Sequence, residues 1–212
     1  MNNPLLSVRD LSIEYVGDKT DFRAVDHVSF DVAPGEVFGL AGESGCGKST
    51  IAFAISRLHK PPALICGGEI MMAGRSVLDL DANELARFRW DEVAMVFQSA
   101  MNSLNPGLRI ESQFHDVLKH HRGYSKAQSR ERCAELLKLV DIPADRMRDY
   151  PFQFSGGMRQ RIVIAICLAL DPKLIVMDEP TTALDVVVQR EILQHINELR
   201  RKLGFSVLFI TH

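Results

Sequence analysis

The stretch V-F-G-L-A-G-E-S-G-C-G-K-S-T at residues 37–50 decides the fold predicted for this chain. Within it, Gly42 to Ser49 fits the pattern G-x-x-x-x-G-K-[ST], in which the backbone N–H groups of a glycine-rich loop cradle phosphate oxygens. The preceding residues, Val37 to Ala41, form an apolar run that is typical of a buried parallel strand. Apolar residues then repeat at helical spacing as far as Pro61. Strand, loop and helix in this order predict an α/β domain that binds a nucleoside triphosphate.

Residue types within the loop indicate individual roles. We expect Lys48 to contact β- and γ-phosphate oxygens and the hydroxyl of Ser49 to bind Mg²⁺. The glycines let the backbone fold tightly around an anion. The thiol of Cys46 would be open to alkylation at this site. The predicted triphosphate-binding residues of the loop are Gly42, Glu43, Ser44, Gly45, Cys46, Gly47, Lys48, Ser49 and Thr50.

A second motif lies where another apolar run ends. Leu174 to Met177 lead directly into Asp178 and Glu179, so that a buried strand ends in two carboxylates. In proteins with this type of phosphate loop the first carboxylate holds Mg²⁺, and a second one beside it can accept a proton from the attacking water. We therefore expect Asp178 to be the magnesium residue and Glu179 the general base. Without the phosphate loop, a strand that ends in a solvated acidic turn would be the simpler interpretation.

The segment Ser155-Gly156-Gly157 precedes a helix that is predicted to begin near Met158. Flexible backbone at a helix N-terminus is an anion site. One chain does not need two unrelated phosphate cradles for one triphosphate, which indicates that this second site serves a nucleotide held by another chain. A simple helix N-cap, with glycines for packing, remains the alternative.

The composition argues against several classes of protein. The 212 residues carry 25 basic and 27 acidic side chains, which disfavours a broad nucleic-acid-binding face. The longest mostly apolar stretch, Ile162 to Leu170, is far shorter than the ~20 residues that cross a bilayer. The four cysteines (46, 66, 133 and 167) lack C-x-x-C spacing and indicate neither zinc nor a disulfide framework. We expect a globular chain without a membrane span, in the reducing cytoplasm.

Further apolar runs place these motifs in a fold. Leu5 to Tyr15 and Ala24 to Val32 predict antiparallel strands near the N-terminus. Val93 to Phe97 and Val207 to Ile210 predict further buried parallel strands. Between them, Ser125 and Gln128 form a predicted capping box before an amphipathic helix, and residues 188–203 predict another helix that ends at Gly204.

Six motifs in order resemble an ATP-binding cassette (ABC) ATPase over essentially the whole chain. They are the phosphate loop at 42–49, Gln98 after a strand, F-S-G-G-M-R-Q-R at 154–161, L-I-V-M-D-E-P at 174–180, T-A-L-D at 182–185, and His212 after a strand. We call residues 154–161 the signature segment. The resemblance implies one nucleotide-binding domain over 1–212, truncated at the C-terminus because relatives continue beyond His212. Its fold would be a P-loop NTPase (RecA-like) core with an antiparallel β subdomain, formed by 1–98 and 158–212, and an inserted α-helical subdomain at 99–157.

Narrower features resemble the peptide and nickel importer subfamily. These are V-F-Q-x-x-M-N-S-L-N-P at 96–106, Y-P-F-Q-F-S-G-G-M-R-Q-R at 150–161 and D-E-P-T-T-A-L-D-V at 178–186. Met158 and the doubled threonine at 181 and 182 are more like the first of the two ATPase subunits that such importers employ. A second ATPase subunit, non-identical rather than a second copy, is therefore implied.

The resemblance also implies roles for single residues in a head-to-tail dimer with two ATP molecules. Tyr15 would stack on adenine, with Phe22 as the alternative. Gln98 would contact Mg²⁺ and the attacking water, and His212 would contact the γ-phosphate and orient Glu179; a purely structural role for either is the alternative. The magnesium residues would be Ser49, Gln98 and Asp178, and the residues that serve the partner's nucleotide Ser155, Gly156, Gly157 and Asp185.

The implied function is the ATP-hydrolysing motor of an importer of di- and oligopeptides, peripheral on the cytoplasmic face of the membrane. Its partners would be two membrane permease subunits, whose short helix lies near residues 101–106, and an extracytoplasmic substrate-binding protein; nucleic acid is not expected. Nickel or another small solute is the alternative cargo. A DNA-maintenance ATPase is disfavoured because too few residues separate Lys48 from Ser155 for a long coiled coil, and no sustained heptads occur there.

Overall fold

The computed structural model describes residues 3–17, 20–98, 100–180 and 185–212, except the side chain of Met101. Within these residues the strands form two four-stranded sheets. The first is antiparallel, with the order β2-β1-β4-β5. Its strands are β1 (Leu6–Tyr15), β2 (Phe22–Val32), β4 (Ala63–Met72) and β5 (Arg75–Ser76). The two antiparallel strands predicted near the N-terminus are present.

The second sheet is parallel and positions the candidate site. Its order is β3-β8-β7-β6, and each strand pairs in parallel with its neighbour. The strands are β3 (Val37–Ala41), β6 (Val93–Val96), β7 (Leu174–Asp178) and β8 (Ser206–Thr211). Because carboxyl ends of parallel strands meet at one edge, the phosphate loop, Gln98, Glu179 and His212 all follow strands that end at the same edge. The predicted parallel α/β core is confirmed.

Helices cover this sheet and extend beyond it. They are α1 (Lys48–Ile55), α2 (Ala82–Asp91), α3 (Ile110–Arg122), α4 (Lys126–Leu139), α5 (Gly156–Cys167) and α6 (Val186–Leu203), with short 3₁₀ turns at 100–102, 144–148, 151–153 and 168–170. The capping box of Ser125 and Gln128 begins α4 as predicted, and α6 ends at Gly204, whose φ is +80°.

The helix of the signature segment differs from its prediction. It begins at Gly156 rather than near Met158, because Ser155 is the N-cap and its Oγ accepts a hydrogen bond from the backbone of Met158 at 3.3 Å. The predicted boundary between residues 157 and 158 therefore lies inside α5. The division into two subdomains stays a prediction.

Two apolar clusters lie on opposite faces of the parallel sheet. Along β7, Leu174 and Val176 belong to the cluster shared with α1 and the antiparallel sheet, whereas Ile175 and Met177 belong to the cluster shared with α3 to α6. This alternation follows from the two-residue period of a strand. Burial on both faces explains why the strand is a continuous apolar run in the sequence.

Part of one predicted motif cannot be placed. Residues 181–184, which hold the doubled threonine and the first three letters of T-A-L-D, lie outside the described residues. Asp185 is described and caps α6, with Oδ1 accepting from the backbone N–H of Val188 at 3.0 Å. In the described part of the chain, no helix is long and apolar enough to cross a membrane.

Candidate active site

The phosphate loop joins β3 to α1 in a conformation that requires glycine. Gly45 and Gly47 have φ angles of +82° and +93°. A Cβ atom on Gly47 would lie 2.3 Å from the carbonyl oxygen of Ala24 in β2, and one on Gly42 would lie 2.9 Å from Sγ of Cys46. The loop therefore packs against the antiparallel sheet at Gly47 and closes on itself at Gly42.

Lys48 is buried at the start of α1, with 7% of its surface exposed. Its Nζ donates hydrogen bonds to the carbonyl oxygens of Gly42 at 2.7 Å and Glu43 at 2.6 Å. The same ammonium group lies 3.7 Å from Sγ of Cys46. The side chain of Lys48 therefore reaches back along the loop, and its ammonium group is held by two carbonyl oxygens of the loop itself.

Asp178 ends β7 and is 5% exposed. Its Oδ1 is buried and has no hydrogen-bond partner among the described residues. Burial is the largest cause that raises the pKa of its carboxyl; the charge of Glu179 raises it further, while a hydrogen bond with Ser49 and the charge of Lys48 oppose the shift. A buried carboxylate oxygen without a partner, near a serine hydroxyl and a lysine, fits a position for a divalent cation or its water ligand.

Glu179 lies where the carboxyl ends of β6, β7 and β8 come together. Its Oε2 accepts a hydrogen bond from Nε2 of Gln98 at 2.8 Å, and its Oε1 lies 2.9 Å from Nδ1 of His212. The side chain of Glu179 is 12% exposed, whereas that of His212 is 54% exposed. The backbone N–H of Glu179 also donates to the carbonyl oxygen of Ile210 at 3.1 Å. The structure therefore brings together the three residues that the sequence placed after β6, β7 and β8.

The backbone of Glu179 is unusual. Its φ is +47°, in the left-handed region that costs a residue with a Cβ atom about 1 kcal/mol or more. This conformation turns the chain sharply at the end of β7, so that Asp178 stays buried while Glu179 points along the sheet edge toward Gln98 and His212.

The two aromatic candidates for base stacking are neighbours. Tyr15 and Phe22 are paired in the register of β1 and β2. The hydroxyl of Tyr15 lies 3.2 Å from Oγ1 of Thr50 in α1, whereas Phe22 is 63% exposed. The hydroxyl of Tyr15 is therefore in contact with the phosphate-loop helix, and the ring of Phe22 beside it is the more exposed of the two.

The signature segment lies in a separate cavity of about 560 Å³. Ser155, Gly156, Gly157 and Asp185 line it, together with carboxylates such as Glu191 and with no residue of the phosphate loop. A Cβ atom on Gly157 would lie 2.9 Å from Cγ1 of Val188, so glycine lets α5 and α6 approach closely. The Ser155 cap is the simple N-cap of the alternative interpretation, and the separation from the phosphate loop fits a site that serves another chain.

Sequence reasoning missed the residues of an apolar groove of about 360 Å³ beside residues 103–105. Its lining includes Trp90, Met95 and Phe97 from the region around β6, and Leu108 near α3. The signal available in the sequence was the single tryptophan, which lies three residues before the start of a predicted strand.

Comparisons with known proteins agree on one family. Residues 25–182 match the family described as ABC transporter. The chain is 47% identical over 212 residues to the peptidoglycan transport ATP-binding protein YejF of Agrobacterium fabrum, covering 99% of this chain and 39% of that protein. It is 43% identical over 211 residues to the dipeptide transport ATP-binding protein DppD of Lactococcus lactis and to the oligopeptide transport ATP-binding protein OppD of Bacillus subtilis, covering 98% of this chain and 60% and 59% of those proteins. The chain therefore spans less than two thirds of the length of these relatives.

Solved structures show the same fold. The dimeric ATP-binding cassette MJ0796, in a post-hydrolysis state bound to ADP and Pi, superposes with a TM-score of 0.83 at 31% identity. The alignment covers 98% of this chain and 88% of the other. The P-loop NTPase fold predicted from the sequence is thereby confirmed.

Proposed function

Because the chain belongs to the ABC transporter family, we propose that it is the ATP-hydrolysing motor of an importer that carries di- and oligopeptides across the cytoplasmic membrane. Relatives named as dipeptide and oligopeptide transport ATP-binding proteins support the cargo class. The observation that carries the proposal is the convergence of Gln98 and His212 on the two carboxylate oxygens of Glu179.

The phosphate loop is proposed to hold the triphosphate of ATP. Gly45 and Gly47 have positive φ, which lets the loop turn tightly around an anion, and Lys48 is the buried cation of the loop. In binding, the ammonium group of Lys48 would exchange its hydrogen bonds with Gly42 and Glu43 for stronger ones to phosphate oxygens. Tyr15 would stack on the adenine while its hydroxyl stays near Thr50, with Phe22 beside it.

The magnesium ion would be held by Ser49, Gln98 and Asp178. The buried, unpartnered Oδ1 of Asp178 fits this role, because a cation would satisfy an oxygen that the described protein leaves without a partner. When bound, Mg²⁺ supplies charge neutralisation of the phosphate oxygens.

Glu179 is proposed to accept a proton from the attacking water. The Gln98 amide donates to one carboxylate oxygen, and the His212 ring lies within hydrogen-bonding distance of the other, so the carboxylate is held in one orientation. Both partners lie at the ends of neighbouring strands, which fix their backbone positions. This arrangement orients the base before the nucleotide reacts.

The signature segment is proposed to complete the site of a second ATPase subunit. Support comes from its position in a cavity without residues of this chain's own phosphate loop, and from the dimeric state of the MJ0796 cassette. In the dimer Ser155, Gly156 and Gly157 would contact the γ-phosphate of the partner's nucleotide, and Asp185 would reach across the interface. A non-identical partner is the favoured case and a second copy the alternative.

The apolar groove is proposed to receive a short amphipathic helix from one of two membrane permease subunits. Its lining is mostly apolar and also includes Asn105, Gln113 and Asp116; Asp116 is exposed and makes no ion pair among the described residues. A helix with an apolar face and one lysine or arginine opposite Asp116 is complementary to this surface. Docking there would place the chain on the cytoplasmic face of the membrane, with an extracytoplasmic binding protein delivering cargo to the permease.

The decisive experiment reconstitutes the full-length protein with its native ATPase and permease subunits in lipid vesicles. ATP hydrolysis is then measured with the binding protein empty, loaded with a tripeptide, loaded with a peptidoglycan-derived peptide, or exposed to Ni²⁺. Stimulation by peptide-loaded binding protein supports the peptide importer. Stimulation by Ni²⁺ alone moves the cargo to a metal ion, and absence of hydrolysis in every arm contradicts the motor itself.

A further inference from the structure

Tyr15 joins the antiparallel sheet to the phosphate-loop helix. Its backbone lies in β1, which pairs with β2 on one side and with β4 on the other, and Tyr15 is in register with Phe22 and Ala63. Its hydroxyl lies 3.2 Å from Oγ1 of Thr50 in the first turn of α1. The backbone and the far end of this side chain are therefore both held by regular secondary structure.

The hydroxyl of Thr50 is buried, and its partner is the phenol of Tyr15. Thr50 is 8% exposed, and among the described residues its hydroxyl makes no other hydrogen bond. A threonine in a helix can bond the carbonyl oxygen of the preceding turn, and here the contact with Tyr15 takes that place. A hydroxyl has one proton to donate and two lone pairs that accept, so the Thr50 hydroxyl has capacity for a further hydrogen bond.

The start of α1 is packed tightly against the same sheet. A Cβ atom on Gly47 would lie 2.3 Å from the carbonyl oxygen of Ala24 and 3.2 Å from Cγ2 of Val25, both in β2. Thr50 follows three residues later, so the two contacts with the sheet lie about one helical turn apart. The position of the Tyr15 ring relative to the phosphate loop is therefore fixed by contacts at two places.

Phe22 differs from Tyr15, although the two are directly paired. Directly paired residues of an antiparallel ladder project from the same face of the sheet. The ring of Phe22 is 63% exposed and has no polar atom with which to bond α1. Of the two candidates for base stacking, Tyr15 is thus the one whose ring position depends on the phosphate-loop helix.

A bound phosphate would fix the direction of this hydrogen bond. Without a ligand, either hydroxyl can be the donor. A phosphate oxygen only accepts, so Thr50 donates to a phosphate beside it, and the Tyr15 hydroxyl then donates to Oγ1 of Thr50. Successive hydrogen bonds in such a chain polarise and strengthen one another. Occupancy of the phosphate loop therefore holds the ring of Tyr15 in one orientation.

We propose that Thr50 is a positioning residue for the base of the nucleotide, because its hydrogen bond with Tyr15 couples recognition of the phosphates to stacking on the base. The proposal rests on the proposed function, since it requires ATP in the phosphate loop. The base of a nucleoside triphosphate meets a ring that is already held in place, so less side-chain entropy is lost on stacking. A triphosphate without a base gains nothing from this ring.

Two probes separate the base from the phosphates. The full-length protein is titrated by calorimetry with a non-hydrolysable ATP analogue and with inorganic triphosphate, each with Mg²⁺. Tyr15→Phe keeps the ring and removes the hydroxyl, so it should weaken binding of the analogue about two- to tenfold and change triphosphate binding less than about twofold. Tyr124→Phe makes the same chemical change between α3 and α4 and should leave both affinities unchanged.

Variants of Thr50 test whether it is the partner. Thr50→Val replaces the hydroxyl with a methyl group and should weaken binding of the ATP analogue more than binding of triphosphate. In that background Tyr15→Phe should cause no further loss, because the hydrogen bond is already absent. Thr50→Ser keeps a hydroxyl and should retain the affinity of the wild type for both probes. If circular dichroism shows that Thr50→Val does not fold, Tyr15→Phe with the two probes decides the proposal.

Four results would overturn this role of Thr50. Unchanged affinity of Tyr15→Phe for the ATP analogue would remove the hydrogen bond from base recognition and leave the ATP site intact. An equal loss for both probes would show that the phenol hydroxyl only stabilises the loop. Additive losses in the double variant would show that Thr50 is not its partner. Absence of binding of either probe to the wild type would contradict the ATP site itself, and this role with it.

Discussion

Two helices of this chain begin with glycine-rich segments, yet their N-termini are built differently. The cap of α1 is Gly47, which offers no side-chain acceptor, and the next residue is the buried Lys48. The cap of α5 is Ser155, whose hydroxyl already accepts a hydrogen bond from the backbone of Met158. At the start of α1, the backbone N–H groups have no side-chain acceptor and a cation lies beside them. At the start of α5, the hydroxyl of Ser155 already accepts a hydrogen bond from one of these N–H groups.

This difference teaches that glycine content alone does not identify where a phosphate binds. The start of α1 has no side-chain acceptor for its N–H groups, and the oxygens of a triphosphate would supply one. The two carboxylates at the carboxyl end of β7 lie beside it. The start of α5 is capped by Ser155, and carboxylates such as Glu191 line the same cavity. In the proposed function α1 binds the nucleotide of this chain, and α5 acts only when a second subunit brings its own.

The largest expected effect tests whether ATP is hydrolysed at the site beside α1. Glu179→Gln should lower ATP hydrolysis by the complete transporter roughly 10²- to 10⁴-fold, because an amide cannot accept the proton of the attacking water. ATP binding should persist and the closed dimer should accumulate, as measured by equilibrium binding and size-exclusion chromatography. Glu69→Gln changes an exposed carboxylate in β4 and serves as the control. Unchanged turnover in Glu179→Gln would remove Glu179 from the role of base.

The next effect tests the cation at the start of α1. Lys48→Ala should weaken ATP binding roughly 10- to 100-fold, since charge-assisted hydrogen bonds contribute about 1.5–3 kcal/mol. Isothermal titration calorimetry measures the loss, with Lys60→Ala as an exposed lysine control. Wild-type affinity in Lys48→Ala would contradict the assignment of the phosphate loop.

A smaller effect separates the two helix starts. Ser155→Ala should lower the free energy of unfolding by about 1 kcal/mol through loss of the N-cap, and leave ATP binding by the isolated chain unchanged. In the assembled transporter the same variant should also reduce hydrolysis, because the partner's nucleotide loses a contact. Denaturant unfolding and ATPase assays measure the two effects. A loss of ATP affinity in the isolated chain would mean that α5 serves the chain's own nucleotide.

The smallest effect concerns the pH dependence of stability without nucleotide. The pKa of Asp178 is raised in the folded protein, mainly by burial, so the native state binds this proton more tightly than the unfolded chain. This site therefore makes stability fall as pH rises from the ordinary carboxyl pKa through the raised native value. Asp178→Asn should remove that part of the pH dependence, measured by denaturant unfolding between pH 4 and 8. An unchanged pH profile would show that the carboxyl is not perturbed.

The sequence predicted the parts of the site that rest on strong local patterns. The phosphate loop is defined by glycine, lysine and serine at fixed spacing, and an apolar run that stops at Asp178 predicts the end of a buried strand. Parallel strands then imply that Gln98, Glu179 and His212 share one edge, and the structure brings them together.

The remaining features depend on tertiary contacts that no local pattern carries. Trp90, near the end of α2, has a φ of 78°, which a tryptophan rarely adopts, so this conformation could not be predicted from propensity. The groove is formed by residues from β6, α3 and α5 that are distant in sequence. The sequence predicts a start of α5 near Met158 because glycine disfavours helix, whereas the Ser155 cap lets the helix begin at Gly156.

The left-handed backbone of Glu179 has a consequence for how this protein can evolve or be engineered. A glycine there would adopt φ near +47° without strain and would relieve about 1 kcal/mol. It would also delete the carboxylate that Gln98 and His212 hold. Backbone strain and the proposed role of the side chain thus act in opposite directions at this position, and a library screened only for thermal tolerance would detect the first and not the second.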